Sequence, residues 1–163
     1  RSCLVGSEMC IRDSVYTVQN LERLGVSSVV IEDKKGLKKN SLFGTEVPQE
    51  QDSIENFSEK IRVGNSARKT DDFLIIARIE SLILNKGLSD ALNRAEKFAE
   101  AGAGGVLIHS KEKSEEQIFE FVKSFKKDSN LPIVVVPTTY NHVKLNEFKE
   151  LGVDIVILSL IHI

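Results

Sequence analysis

Phe73-Leu74-Ile75-Ile76-Ala77 is followed by a stretch that Ser89 opens and in which Leu92, Ala95 and Ala99 recur, and then, past Gly102, by Gly105-Val106-Leu107-Ile108. The first and third runs are short, continuous and apolar, as strands buried on both faces are. The middle stretch repeats its apolar residues at helical spacing and stops at a glycine. A strand, a helix and a second strand predict parallel pairing through a right-handed crossover. The alternation extends outward in both directions. Upstream lie Val29-Val30-Ile31 and a helix expected over 52–68, with Ile54, Phe57 and Ile61 inward. Downstream, Ser114 and Gln117 read as a capping box ahead of Ile118, Phe121, Val122 and Phe125. Ile133-Val134-Val135-Val136 follows, then a helix with Leu145, Phe148 and Leu151 as its buried stripe before Gly152, then Val153-Asp154-Ile155-Val156-Ile157.

Five such strands define an α/β protein, either an open doubly wound sheet or part of a closed (β/α)8 barrel. Neither a GxGxxG nor a P-loop string follows any strand, which disfavours the dinucleotide-binding form. A complete barrel needs about 250 residues. The expected fold is therefore an incomplete (β/α)8 TIM barrel of about five parallel strands with their helices.

The two ends read differently from the middle. Met9-Cys10-Ile11-Arg12-Asp13-Ser14 can be written ATG TGT ATA AGA GAC AGN, and Leu158-Ser159-Leu160-Ile161-His162-Ile163 can be written CTG TCT CTT ATA CAC ATC. The second string is the reverse complement of the first, and both resemble a sequencing-library transposon adapter. Residues 1–14 and 158–163 are expected to be translated adapter, and 15–157 a partial barrel domain. Cys3 and Cys10 both fall in the first of these ends, so the cysteine pair carries no redox or metal information. A segment without cysteine fits a reducing cytoplasm.

Of the 163 residues, 41% are hydrophobic and 28% charged, which suits a globular protein with a real core. No apolar run reaches the roughly 18 residues of a membrane span, and no signal-peptide pattern opens the chain. Twenty-two basic residues against 24 acidic ones give a net charge of −2 and no field that would gather nucleic acid. Small-molecule chemistry is the expectation, with neither nucleic acid nor membrane as partner.

Charge collects where the strands end. Val29-Val30-Ile31 runs into Glu32, Phe73 to Ala77 into Arg78 and then Glu80, and Val106 to Ile108 into His109. Barrel strands deliver their C-terminal ends to one active-site mouth, so three such residues are expected in register at one rim. Glu32 pairing Lys34, Arg78 pairing Glu80 and a merely hydrogen-bonded His109 are the structural alternatives. Taken together, an acid, an arginine and an imidazole suit an anionic, metal-bound ligand. A carboxylate can hold Mg²⁺ directly or through water, arginine offers a planar fork to phosphate or carboxylate, and histidine adds a directional donor. The long connection from Lys34 to Gln51, with Lys34, Lys35, Lys38 and Lys39, is expected to act as a lid or binding loop, a solvated surface run being the alternative.

Glu32-Asp33-Lys34, five residues, then Asn40-Ser41 resembles the EDK-x5-NS signature of phosphoenolpyruvate mutases, within the isocitrate lyase superfamily of (β/α)8 barrels. The resemblance continues through Ile76-Ala77-Arg78-Ile79-Glu80, Gly87-Leu88, Ala91-Leu92, Arg94-Ala95, Ala101-Gly102-Ala103, His109-Ser110-Lys111 and Val136-Pro137-Thr138. It implies an enzyme that interconverts phosphoenolpyruvate and phosphonopyruvate with Mg²⁺, in a homo-oligomeric parent. By motif, Glu32 resembles the acid that holds the metal through water, and Lys38 and Asn40 resemble gating-loop residues, with Asn40 and Ser41 touching substrate. Arg78 and His109 resemble the residues that bind the phosphoryl group and carry its transfer. The family's Ser-Gly-Leu loop, its nucleophile-like aspartate and its Asp-x-Asp metal motif have no counterpart in 15–157, so the chain by itself is expected to be inactive. Phosphonopyruvate hydrolase is the nearest alternative, with Asn40-Ser41 at this spacing favouring the mutase. A carbon–carbon lyase of the superfamily would carry a catalytic cysteine, which 15–157 lacks. An inert fragment or weak anion binder is the non-enzymatic alternative.

Overall fold

A computed structural model describes residues 11–35 and 49–158. The elements in chain order are α1 (Ile11–Arg23), β1 (Ser28–Glu32), β2 (Lys34–Lys35), β3 (Glu50–Gln51), α2 (Ile54–Ala67), β4 (Leu74–Ile79), α3 (Gly87–Glu100), β5 (Gly105–Ile108), α4 (Glu116–Asp128), β6 (Ile133–Val135), α5 (Leu145–Leu151) and β7 (Ile155–Val156).

The five expected strands form one parallel sheet in the order β1-β4-β5-β6-β7. A doubly wound sheet reverses its order at a switch point. Here the order follows the chain without reversal, as in an arc of a barrel wall. The helices also pack in chain order, α1 on α2, α2 on α3, α3 on α4 and α4 on α5. Between them and the sheet lies the main core, where Ile75, Ala77 and Ile79 of β4 and Val106 and Ile108 of β5 meet Phe57, Ile61, Phe98, Phe121 and Phe125. The opposite sheet face carries a smaller cluster of Ile76, Leu107 and Val134. Period-two alternation places Arg78 on that second face with Ile76.

Several local expectations need correction. The helix begins at Gly87, ahead of Ser89, and ends as expected, with Gly102 at φ +94°. The capping box does not form: Ser114 Oγ accepts the Glu116 N–H, whereas the Gln117 side-chain oxygen accepts from Ser110 Oγ at 3.3 Å. Glu115 is the residue at the helix boundary, one position later than expected, so the Ser114-Gln117 spacing misses the geometry. Leu145 is 56% exposed and leaves the stripe of α5 to Phe148 and the half-buried Leu151. Asp52 lies outside α2, whose cap is Ser53, accepting the Asn56 N–H at 3.1 Å. α1 and the antiparallel pair β2–β3 are additional to the sequence reading; that pair closes the base of the 34–51 connection by setting Lys34 against Gln51 and Lys35 against Glu50.

Candidate active site

Sheet register brings Glu32 and Arg78 directly opposite one another at the ends of β1 and β4. His109 sits two residues beyond Leu107, the partner of Arg78, so the three expected rim residues lie along a diagonal. Arg78 Nη1 is 3.2 Å from Glu32, and its Nε is 2.5 Å from Glu80. Lys34 Nζ, from β2, is 2.9 Å from Glu80 and 3.6 Å from Glu32. Both alternatives raised by the sequence, Glu32 with Lys34 and Arg78 with Glu80, are therefore realised, and they interlock into one cluster of two acids and two cations. Burial pushes the Glu80 carboxyl upward, but Arg78 and Lys34 outweigh it and hold the group below its ordinary range.

His109 is buried, and its Nδ1 lies 3.2 Å from the Val136 carbonyl oxygen. Burial first, and then the Arg78 charge, push its pKa down to about 4, although Glu80 pulls the other way. The neutral ring directs its one N–H to Val136, which leaves a lone pair at Nε2.

Beneath this cluster lies a buried network built around Asp33. Its carboxylate accepts from Glu80 N–H at 2.9 Å, Gln51 Nε2 at 2.7 Å and Arg94 Nη1 at 3.1 Å. Its backbone N–H donates to Arg78 O, and its carbonyl accepts from Asp52 N–H. One residue thus ties the end of β1 to the ends of β3 and β4 and to α3. Burial pushes Asp33 up to about 7 against Glu80 N–H, Arg94 and Gln51, all of which favour the ionised form, while the Glu80 charge adds to the rise. Asp52 next door is held below its ordinary value: burial acts upward, but Lys60 at 2.7 Å and Asn56 prevail.

This network escaped the sequence reading, which gave Asp33 no role. A signal was available in Arg94, which falls on the buried stripe of α3 between Ala91, Ala95 and Phe98. An arginine on an apolar helix face requires a buried acid. Lys38, Asn40 and Ser41 lie outside the described residues.

Mg²⁺ is bound by oxygen ligands and keeps much of its water. Among the described residues no group of three His, Cys, Asp or Glu is arranged to hold a metal ion. Glu32 offers a single carboxylate at the strand end, which fits one water-mediated contact rather than a direct cage. No described helix is long and apolar enough to cross a membrane.

The family model for phosphoenolpyruvate phosphomutase matches residues 7–160. The chain belongs to this family. It is 42% identical over 125 residues to a phosphonopyruvate hydrolase of Variovorax sp. (strain Pal2), covering 77% of this chain and 42% of that protein. It is 39% identical over 140 residues to a phosphoenolpyruvate phosphomutase of Tetrahymena pyriformis, covering 86% of this chain and 46% of that protein. The crystal structure of a phosphoenolpyruvate phosphomutase from Streptomyces platensis subsp. rosaceus superposes with a TM-score of 0.88 at 34% identity, over 96% of this chain and 53% of the other. A phosphonopyruvate hydrolase solved with oxalate and Mg²⁺ superposes with a TM-score of 0.81 at 35% identity, over 93% of this chain and 50% of the other. The chain therefore spans about half the length of the relatives it matches, and their fold is the barrel of the phosphoenolpyruvate mutase and isocitrate lyase superfamily.

Proposed function

We propose that the protein to which residues 15–157 belong is a phosphoenolpyruvate mutase, converting phosphoenolpyruvate and phosphonopyruvate into one another with Mg²⁺. The observation that carries this reading is the meeting of Glu32, Arg78 and His109 at one end of the sheet in a chain of this family. The reaction breaks a phosphorus–oxygen bond and forms a phosphorus–carbon bond within one molecule. A loose phosphoryl transition state asks mainly for positioning and charge stabilisation. In this reading Arg78 binds the phosphoryl oxygens through its fork, His109 completes the contact, and Asn40, Ser41 and Lys38 come from the 34–51 connection. Glu32 would hold the metal through water, and a bound Mg²⁺ would supply charge neutralisation for the substrate's anionic oxygens.

The Asn40-Ser41 spacing favours the mutase, whereas the 42% identity to a hydrolase keeps phosphonopyruvate cleavage as the second reading. Incubating phosphonopyruvate and Mg²⁺ with a form of the protein extended to the length of its relatives separates them. Phosphoenolpyruvate as product supports the mutase, and pyruvate with phosphate refutes it. The 163-residue chain alone is expected to give neither product, and turnover by it would refute the view that further aspartates are needed. In the extended form, Arg78→Ala should lower kcat by roughly 10²–10³, the scale for loss of one preorganised donor. Near-native kcat would remove Arg78 from the phosphoryl contact.

A further inference from the structure

The Val136 carbonyl can only accept, so the His109 Nδ1 that lies 3.2 Å from it carries the hydrogen. That carbonyl also accepts the Thr138 N–H at 2.9 Å, which holds it fixed at the turn after β6. The neutral ring is left with its lone pair at Nε2, and Nε2 makes no hydrogen bond to a described residue. Among the described residues the charged groups acting on the ring are Arg78 of β4, Glu80 just beyond it and Lys34 of β2, while the turn after β6 presents the Val136 carbonyl. Two cations and one acid, in a buried setting, leave the ring neutral in the free chain. A fully deprotonated phosphoryl group also presents only acceptors, and a lone pair set against a lone pair repels.

We propose that His109 admits a phosphoryl anion only together with a proton, which is shared between Nε2 and a phosphoryl oxygen in the complex. The inference rests on the reading that His109 contacts the phosphoryl group. No covalent bond to phosphorus changes in this step. A dianion and one proton from solvent give a ligand and ring that together carry one negative charge at the phosphoryl end; a monoanion brings the same proton with it. Because the second ionisation lies near pH 6 for a phosphate ester and higher for a phosphonate, solvent supplies most of the proton at about pH 8 and the ligand supplies it at about pH 5.5.

The test uses the full 163-residue chain labelled with ¹⁵N. In the free chain, long-range ¹H–¹⁵N spectra should show His109 protonated at Nδ1 and bare at Nε2 between pH 8 and pH 5. Adding phosphonopyruvate with Mg²⁺ at pH 8 should move Nε2 toward its protonated shift and also move the Arg78 guanidinium signals. Calorimetry in two buffers of different ionisation enthalpy should report uptake of about one proton per ligand at pH 8, and little at pH 5.5. His109→Gln should bind without proton uptake. A hydrogen on Nε2 in the free chain, or binding at pH 8 without uptake, overturns the inference. Movement at Arg78 with His109 unchanged leaves the anion site standing and refutes the proton coupling alone. Silence at both residues refutes the anion site and the inference with it.

Discussion

His109→Gln should change how stability depends on pH, by an amount that follows from the burial of the ring. The native His109 pKa falls to about 4, against an ordinary value of 6.5. Between those values the unfolded chain holds a proton that the folded chain rejects, so the contribution of His109 is favourable above pH 6.5 and is lost as pH falls toward 4. A separation of about two and a half pH units corresponds to about 3 kcal/mol. Glutamine keeps an amide able to donate to the Val136 carbonyl and cannot titrate. Urea unfolding followed by circular dichroism, for both proteins from pH 4 to pH 7.5, measures the difference directly. Taking variant minus native cancels the acids common to both chains. The variant should gain about 3 kcal/mol relative to native on going from pH 6.5 to pH 4. A difference that stays constant within about 0.5 kcal/mol, the scale of an ordinary surface substitution, would refute the assignment of His109 as a buried neutral imidazole.

Asp33→Asn should show the mirror image, because the Asp33 pKa is raised to about 7: its contribution is complete below its ordinary value of 3.8 and is lost as pH rises through 7, so the variant should gain on native by roughly 3 kcal/mol from pH 4 to pH 6.5 in the same unfolding assay. Gly102→Ala should lower the thermal midpoint, costing about 1–2 kcal/mol, because Gly102 adopts φ +94° and a Cβ there would meet Asn65 Nδ2 at 2.7 Å, the atom that donates to the Gly102 carbonyl. Asp154→Ala should cost about 1–3 kcal/mol in urea unfolding, since its carboxylate accepts the Ile133 N–H at 2.8 Å and pairs Lys126 at 2.9 Å; a loss under about 0.3 kcal/mol would mean that water replaces it.

The strands were legible because each is a short apolar run flanked by a helical stripe, a local pattern that the sheet order then respects. The strand-end acids and bases were legible for the same reason, since parallel strands deliver their ends to one side. Their partners were not. Whether Arg78 meets Glu32, Glu80 or both depends on register across β1 and β4, and the placement of Lys34 depends on the β2–β3 pair, which is too short for a periodic signal. Asp33 was hidden inside a recognised motif, and its bonds to Gln51 and Arg94 join positions 18 and 61 residues away. The Ser114-Gln117 spacing misled because a hydroxyl one position before a helix boundary can serve a different turn, and only the backbone angles decide which.

The cluster of Glu32, Arg78, Glu80 and Lys34 holds as many negative as positive groups. If Arg78 binds the phosphoryl group as proposed, an arriving anion meets an occupied guanidinium, and its attachment is an exchange rather than an addition. What it gains at Arg78 is offset by what the displaced carboxylate gives up, so affinity at this rim measures a contrast between two anions. Simple ions of one charge should compete poorly there, while a ligand with several oxygens in a plane can match the fork that Glu32 and Glu80 already share.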